Sequence, residues 1–290
     1  MPILKPSIDQ LAQRVLRQEG KMLLDASKEA FANFKDPAPG TPVFRDREWI
    51  ANGVQAELLS GVLEHGAQSV ATFLLSADEH RYGIDAIIAT VERHPLPAMT
   101  CARALHESAL MACWLSDPTI STEERLARSS AQFLSGVQGG LPVLDKFTGD
   151  IRDEAEIEQV RQKREGAIAF LQGMGMEIRV RESNGQALNV QYGGHVENVA
   201  PKVTDLSARY TPEAHHMWSI NSGAAHSNSW MIRGLYGQWA TVLSSLLLPL
   251  LDVSDALVDN LFGYVGMGTE EPKKLTHQRR MALLRVEGSL

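Results

Sequence analysis

The sequence predicts an all-α protein, a mainly antiparallel helical bundle with a small hairpin or irregular insertion near residues 173–200. Apolar residues recur at i, i+3 and i+4 through nearly every segment. Breaks rich in proline and glycine separate these segments at lengths normal for helices. Only the stretch from Gly173 to Pro201 departs from this pattern. There an alternating MEIRVRE and a later ALNVQY flank Asn184-Gly185, a turn dipeptide, and predict a β-hairpin.

Taken in order, an amphipathic helix from Ile8 to Phe34 ends at DPAPGTP, whose prolines forbid continuation. Asp46 is expected to cap a long helix to about Ser76, followed by a short one from Asp85 to Glu92 that stops before Pro95. Pro97 can occupy a first helical turn, where a missing N–H costs nothing, and opens a helix to Ser116. Ser121 with Glu124 has the spacing of a capping box and starts a helix toward Leu141. A charged helix follows from Arg152 to Gln172. After the insertion, Thr211 and Pro212 open a helix expected to run through Trp239 to Leu248, with a bend near Gly234 or Gly237. The last helix is expected after Asp252. The organisation read from this is one helical domain over 1–268, with N-terminal helices (1–94) packed on a core bundle (97–262), and a polar tail over 269–290.

With 290 residues, 44% hydrophobic and 22% charged, the chain has enough apolar mass for a full core. Its formal charge of -7 and pI near 5.7 argue against a broad nucleic-acid or anionic-membrane footprint. The N-terminus has scattered charges and no apolar stretch of the signal-peptide kind, and Ala240–Leu251 is too short to span a bilayer. Cys101 and Cys113 lie on one helix, roughly 18 Å apart at the helical rise, too far to join as a disulfide. A cytoplasmic location with reduced thiols is expected, with no membrane partner.

Two segments carry the candidate chemistry. Ser219, Ser222, His226, Ser229 and Arg233 repeat at i+3/i+4 and form a polar stripe beside Asn221 on an otherwise apolar helix. Hydroxyls, an amide, imidazoles and one guanidinium are the side chains that line polar clefts. In MTCARALHESALMACWL the polar residues Arg103, His106, Glu107 and Ser108 fall within about one helical turn. That helix should be central, with Arg103 and Glu107 forming a buried i,i+4 ion pair. If the two helices face each other, His226 is the expected general acid or base, Glu107 its orienting partner and Arg103 the clamp for a substrate anion. His106, Ser222, Asn221, Ser219 and Arg233 are the expected substrate contacts. The plain alternative is close helix packing, with the serines bonded to their own backbone.

Other chemistries find little support. Glu213 and His216 make one E-x-x-H, but a di-iron bundle needs a second, and none stands on another expected helix. Cys101 and Cys113 lack zinc spacing. There is no G-x-G-x-x-G after a strand, no P-loop and no G-x-S-x-G. No metal and no organic cofactor is expected.

The segment CARALHESALMACWLSDPTISTEERLARSSAQFL resembles an uncharacterised family of all-helical actinobacterial proteins with an R-A-L-x-E helix, a W-L-x-x-P end and an E-R-x-x-R second helix. The likeness continues through QYGGHVENVAPKVTDL and MWSINSGAAHSNSW, over half to two-thirds of the chain. The matching positions are Arg103, Glu107, Ser222 and His226. That family is distantly similar to the HEPN helical domains, some of which cleave RNA with an Arg and a His four to six residues apart. Arg209 with His215 or His216 has that spacing, but Pro212 at a helix start departs from the pattern.

The function expected is a small-molecule enzyme using metal-independent acid/base chemistry in a polar cavity between the 99–115 and 211–233 helices. An HEPN-like RNA-cleaving or RNA-binding domain and a non-catalytic ligand-binding or scaffold protein are the alternatives. The expected partners are a small-molecule ligand and a second copy of the chain in a homodimer.

Overall fold

A computed structural model describes residues 7–90, 92, 94–144, 146, 154–225 and 239–287. In chain order its elements are α1 (Ile8–Lys35), α2 (Pro42–Ala51), α3 (Ala56–Ile88), α4 (Pro95–Ser116), α5 (Thr122–Gln138), α6 (Leu141–Leu144) and α7 (Glu154–Gly173). Then come β1 (Glu177–Val180), β2 (Ala187–Tyr192), β3 (His195–Asn198), α8 (Val203–Tyr210), α9 (His215–Ala225), α10 (Trp239–Leu257) and α11 (Glu270–Glu287). A π turn, Val258–Phe262, and a short helical turn, Gly263–Val265, extend α10. The fold is mainly helical with one small antiparallel sheet, as the periodicity predicts.

The chain forms two compact units. One comprises Met1–Pro42, Ala71–Pro118 and Val203–Leu290; the other comprises Val43–Val70 and Thr119–Lys202.

The first unit is built on α4, which packs against α8, α9 and α10. Met99, Leu105, Leu110, Trp114 and Leu115 are all buried, so apolar residues leave this helix in every direction. Each large side chain so buried contributes about 1.5–3 kcal/mol. α1 begins at a closed capping box, in which Ser7 Oγ accepts the Gln10 N–H at 3.2 Å and Gln10 Oε1 accepts the Ser7 N–H at 3.1 Å. α10 packs on α1, α4 and α11. Its helical run, Trp239–Val265, is 27 residues and apolar enough to cross a membrane by length and composition, but 72% of its most apolar window is buried. Such burial is that of a core helix, although the run is longer than the apolar stretch visible in the sequence.

The polar tail expected from residue 269 is instead α11. Arg279 Nη1 donates to Glu19 Oε1 at 2.8 Å, and Arg280 Nη2 donates to Asp252 Oδ1 and Asp255 Oδ2, each at 2.8 Å. Charges that looked solvated in sequence are thus anchored on α1 and α10.

In the second unit, α5 packs on α7 and on the sheet, whose order is β1-β2-β3. Ile178 pairs with Val190, and Val190 with Glu197 on the other side. The expected hairpin is present as β1 and β2, with Gly185 at φ 66° in its turn. The third strand was not foreseen. Gly193 and Gly194, at φ 55° and 84°, supply the two positive φ angles of a tight hairpin turn and bring β3 back along β2.

Two helix boundaries also differ from expectation. The helix expected from Asp46 to Ser76 is divided between α2 and α3 around Gly53, and α3 continues through the segment expected as a separate helix to reach Ile88. Asp46, expected as an N-cap, lies inside α2 and is buried.

Candidate functional site

The expected site maps onto α4 and α9, which pack together. Arg103 Nε lies 2.6 Å from Glu107 Oε1, the i,i+4 pair read from the sequence. Its side chains keep 22% and 31% exposure, so this pair lies at the rim of the helix contact and not in a dry core. The Arg103 guanidinium also stands 5.7 Å from the Trp218 ring on α9, a cation–π contact.

His106 takes no part in that pair. It is buried, and its Nε2 lies 2.8 Å from Thr211 Oγ1. The Thr211 hydroxyl in turn donates to the Ser207 carbonyl at 3.2 Å. Burial, reinforced by repulsion from His215, lowers the His106 pKa from 6.5 to about 4, and the imidazole is neutral at pH 7. His106 Nδ1 and Asn221 Oδ1 are both buried without a hydrogen-bond partner among the described residues. These two residues line a void of about 10 Å³ with Ala102, Leu246 and Pro249. A void of that size is about that of one water molecule.

The rest of the stripe divides. Ser219 is exposed and its hydroxyl bonds back to the His215 carbonyl at 3.5 Å. Ser222 is half-buried. His226, the expected acid or base, and Arg233 lie outside the described residues, as do Ser229 and the proposed bend. Glu213 and His216 are both exposed at the start of α9. Arg209 lies in the last turn of α8 and donates to Asp117 Oδ2 at 2.6 Å, with the 3-10 turn Pro212–Ala214 between it and His215.

The second unit holds a buried polar network that sequence reasoning missed. Arg125 Nε donates to Asp46 Oδ2 and Thr122 Oγ1 donates to Asp46 Oδ1, both at 2.7 Å. Arg128, 1% exposed, donates from Nη2 to Glu124 Oε1 at 2.5 Å and from Nε to Glu197 Oε1 at 3.1 Å. The signal was present as E-R-x-x-R, but spacing alone does not say that both arginines point inward. Glu124 is thereby drawn away from the expected capping box: Ser121 Oγ accepts the Glu124 N–H at 3.1 Å, while the Glu124 carboxylate faces Arg128 and His195. Ser121 Oγ also lies 3.2 Å from His195 Nε2, clasping the start of β3 to the start of α5.

A different part of the first unit holds an apolar hollow. A cavity of about 250 Å³ opens among α1, α3, α4 and α10, walled by Leu23, Phe31, Leu74, Leu105, Ala109 and Val253. At its edge Leu24 and Leu75 are 42% and 63% exposed. Of the described positions expected to contact substrate, His106, Ser219, Asn221 and Ser222, none lines it; Leu105 and Ala109, on another face of the same helix α4, do. No family model, curated protein or solved structure matches this chain.

Proposed function

We propose that this protein binds a small, mainly apolar molecule in the cavity among α1, α3, α4 and α10. The observation that carries this reading is the cavity itself, about 250 Å³ with an almost wholly apolar wall. Protein interiors are close-packed, and voids larger than a water are few. A hollow of this size forgoes packing energy, which a bound ligand restores. Exposed Leu24 and Leu75 fit the same reading, since they provide an apolar mouth.

The test is thermal unfolding with naphthalene present and absent, on the native chain and on Ala71→Trp. Ala71 lines the cavity and is half-buried, so the larger ring can enter the hollow without rebuilding the core. A ligand at one hundred times its Kd adds about 2.7 kcal/mol to stability. The expected result is a raised midpoint for the native chain and none for the variant. An unmoved midpoint in the native chain overturns the proposal.

A second reading, acid/base chemistry on a small molecule beside α4 and α9, is favoured by the neutral, buried His106 and its unpartnered Nδ1. It predicts that a metabolite consumed by the native protein, followed by mass spectrometry, is left untouched by both Glu107→Gln and His106→Gln.

A further inference from the structure

In the second unit the chain brings a hydroxyl, an imidazole and a carboxylate into line. Ser121 Oγ lies 3.2 Å from His195 Nε2, and His195 Nδ1 lies 3.5 Å from Glu124 Oε2. Two local features produce this meeting of segments 74 positions apart. Ser121 is the N-cap of α5, so its side chain lies over the open end of the helix. Gly193, at φ 55°, sets the β2–β3 turn so close to the first turn of α5 that a Cβ there would stand 2.5 Å from Glu123 Cβ. His195 then opens β3 beside Ser121.

The hydrogen bonds around these groups leave each one able to act. Ser121 Oγ accepts the Glu124 N–H at 3.1 Å, so its own proton is still available to an acceptor. Capping uses only that accepting role and needs no imidazole. Glu124 Oε1 accepts from Arg128 Nη2, which fixes the carboxylate, and Oε2 faces His195. A carboxylate beside Nδ1 favours the tautomer in which Nε2 takes up a proton, and it stabilises the imidazolium that forms. Separations of 3.2 and 3.5 Å are long for such bonds, as they often are in enzymes without substrate. Thr122 and Glu123 open α5, where N–H groups have no partner within the helix. With the positive end of the helix dipole they supply donors for an oxyanion, one of them on the residue after the nucleophile. Ser121 is exposed and the His195 side chain is 39% exposed, so both are open to a substrate from solvent. Glu123 and Glu124 on the same turn disfavour an anionic one.

We propose that Ser121 is the nucleophile of an acyl transfer from a neutral ester to water, with His195 as its general base and Glu124 positioning the imidazole. Ser121 Oγ bonds to the acyl carbon while its proton passes to His195 Nε2. The C–O bond to the alcohol then breaks, and the alcohol leaves with that proton. Water attacks the acyl-serine, giving a proton to Nε2, and release of the carboxylic acid returns the proton to Ser121. The site shares no residue with the cavity of the first unit and does not rest on the proposed binding function.

The experiment treats the native chain, Ser121→Asn, His195→Gln and Glu124→Gln with p-nitrophenyl acetate and with an alkyl fluorophosphonate, following p-nitrophenol release and locating the label by peptide mass spectrometry. Asparagine caps a helix about as well as serine, so Ser121→Asn removes the hydroxyl and keeps the start of α5. The native chain is expected to release p-nitrophenol and to carry the phosphonyl group on Ser121, and Ser121→Asn to do neither. His195→Gln should be labelled roughly 100-fold to 10,000-fold more slowly, the contribution of a general base. Glu124→Gln should slow labelling at saturating probe while leaving the half-saturating concentration unchanged, a split that loss of folded protein alone does not produce. A native chain that is not labelled at Ser121, or is labelled there no faster than in concentrated urea, overturns the proposal. So does an unchanged labelling rate in His195→Gln, or p-nitrophenol release that persists in Ser121→Asn.

Discussion

Arg125 Nε donates to Asp46 Oδ2 at 2.7 Å, with side-chain exposures of only 2% and 5%. A guanidinium and a carboxylate removed from water this completely stabilise the fold only while they remain together, because removing either one takes the directly bonded counter-charge from the other. Replacing one partner, as in Arg125→Met or Asp46→Leu, should cost about 3–5 kcal/mol in urea unfolding. The double replacement should recover most of that loss. Additive losses in the double variant would mean that the two side chains act independently.

His106 makes stability depend on pH. Its pKa is 6.5 when unfolded and about 4 when folded, so between these values the unfolded chain binds a proton that the folded chain refuses. Its contribution is fully present above pH 6.5 and is lost as pH falls toward 4, by about 3 kcal/mol over the whole window. His106→Gln keeps an N–H near the Thr211 hydroxyl and cannot titrate. The difference in unfolding free energy between native chain and variant should therefore narrow on acidification through this window, and a constant difference would show that His106 does not titrate there.

The Arg103–Glu107 pair should behave quite differently from Arg125–Asp46. Partial exposure of both side chains places it near the surface regime, where an ion pair is worth about 0–1 kcal/mol. Glu107→Gln should shift the urea midpoint by an amount in that range. A loss as large as that of Arg125→Met would place Glu107 in the core's support, against the half-exposed geometry.

Gln138 serves as a substitute strand edge. Its Nε2 donates to the Ala187 carbonyl and its Oε1 accepts the Ala187 N–H, both at 2.9 Å. Gln138→Leu leaves both backbone groups buried without that partner, at about 1–3 kcal/mol. Amide exchange at Ala187 should accelerate more than exchange in α4, and an unchanged Ala187 rate would mean the side chain is dispensable to the sheet.

The helical class, the start of α1, the first hairpin and the Arg103–Glu107 pair were all legible because each depends on neighbours a few residues apart. Periodicity, capping and i,i+4 spacing are local properties, and local physics is enough to read them. The sequence could nominate His106 and Asn221, since both fell among the few polar residues of apolar helices. It could not tell that His106 would turn away from Arg103 and Glu107 toward Thr211, 105 positions along the chain. Arg125 and Arg128 read as ordinary helix charges until partners 79 and 69 positions away enclosed them. α11 looked like a solvated tail for the same reason, its arginines being matched by acids on α1 and α10. A cavity is still less visible, because it is the space several distant segments fail to fill. The sequence by itself determined which segments are helical and which side chains are chemically capable; tertiary packing decided which charges are buried, which polar atoms are left unpaired and where a cavity opens. Burial and enclosure depend on contacts between residues far apart in the chain, which no local pattern encodes.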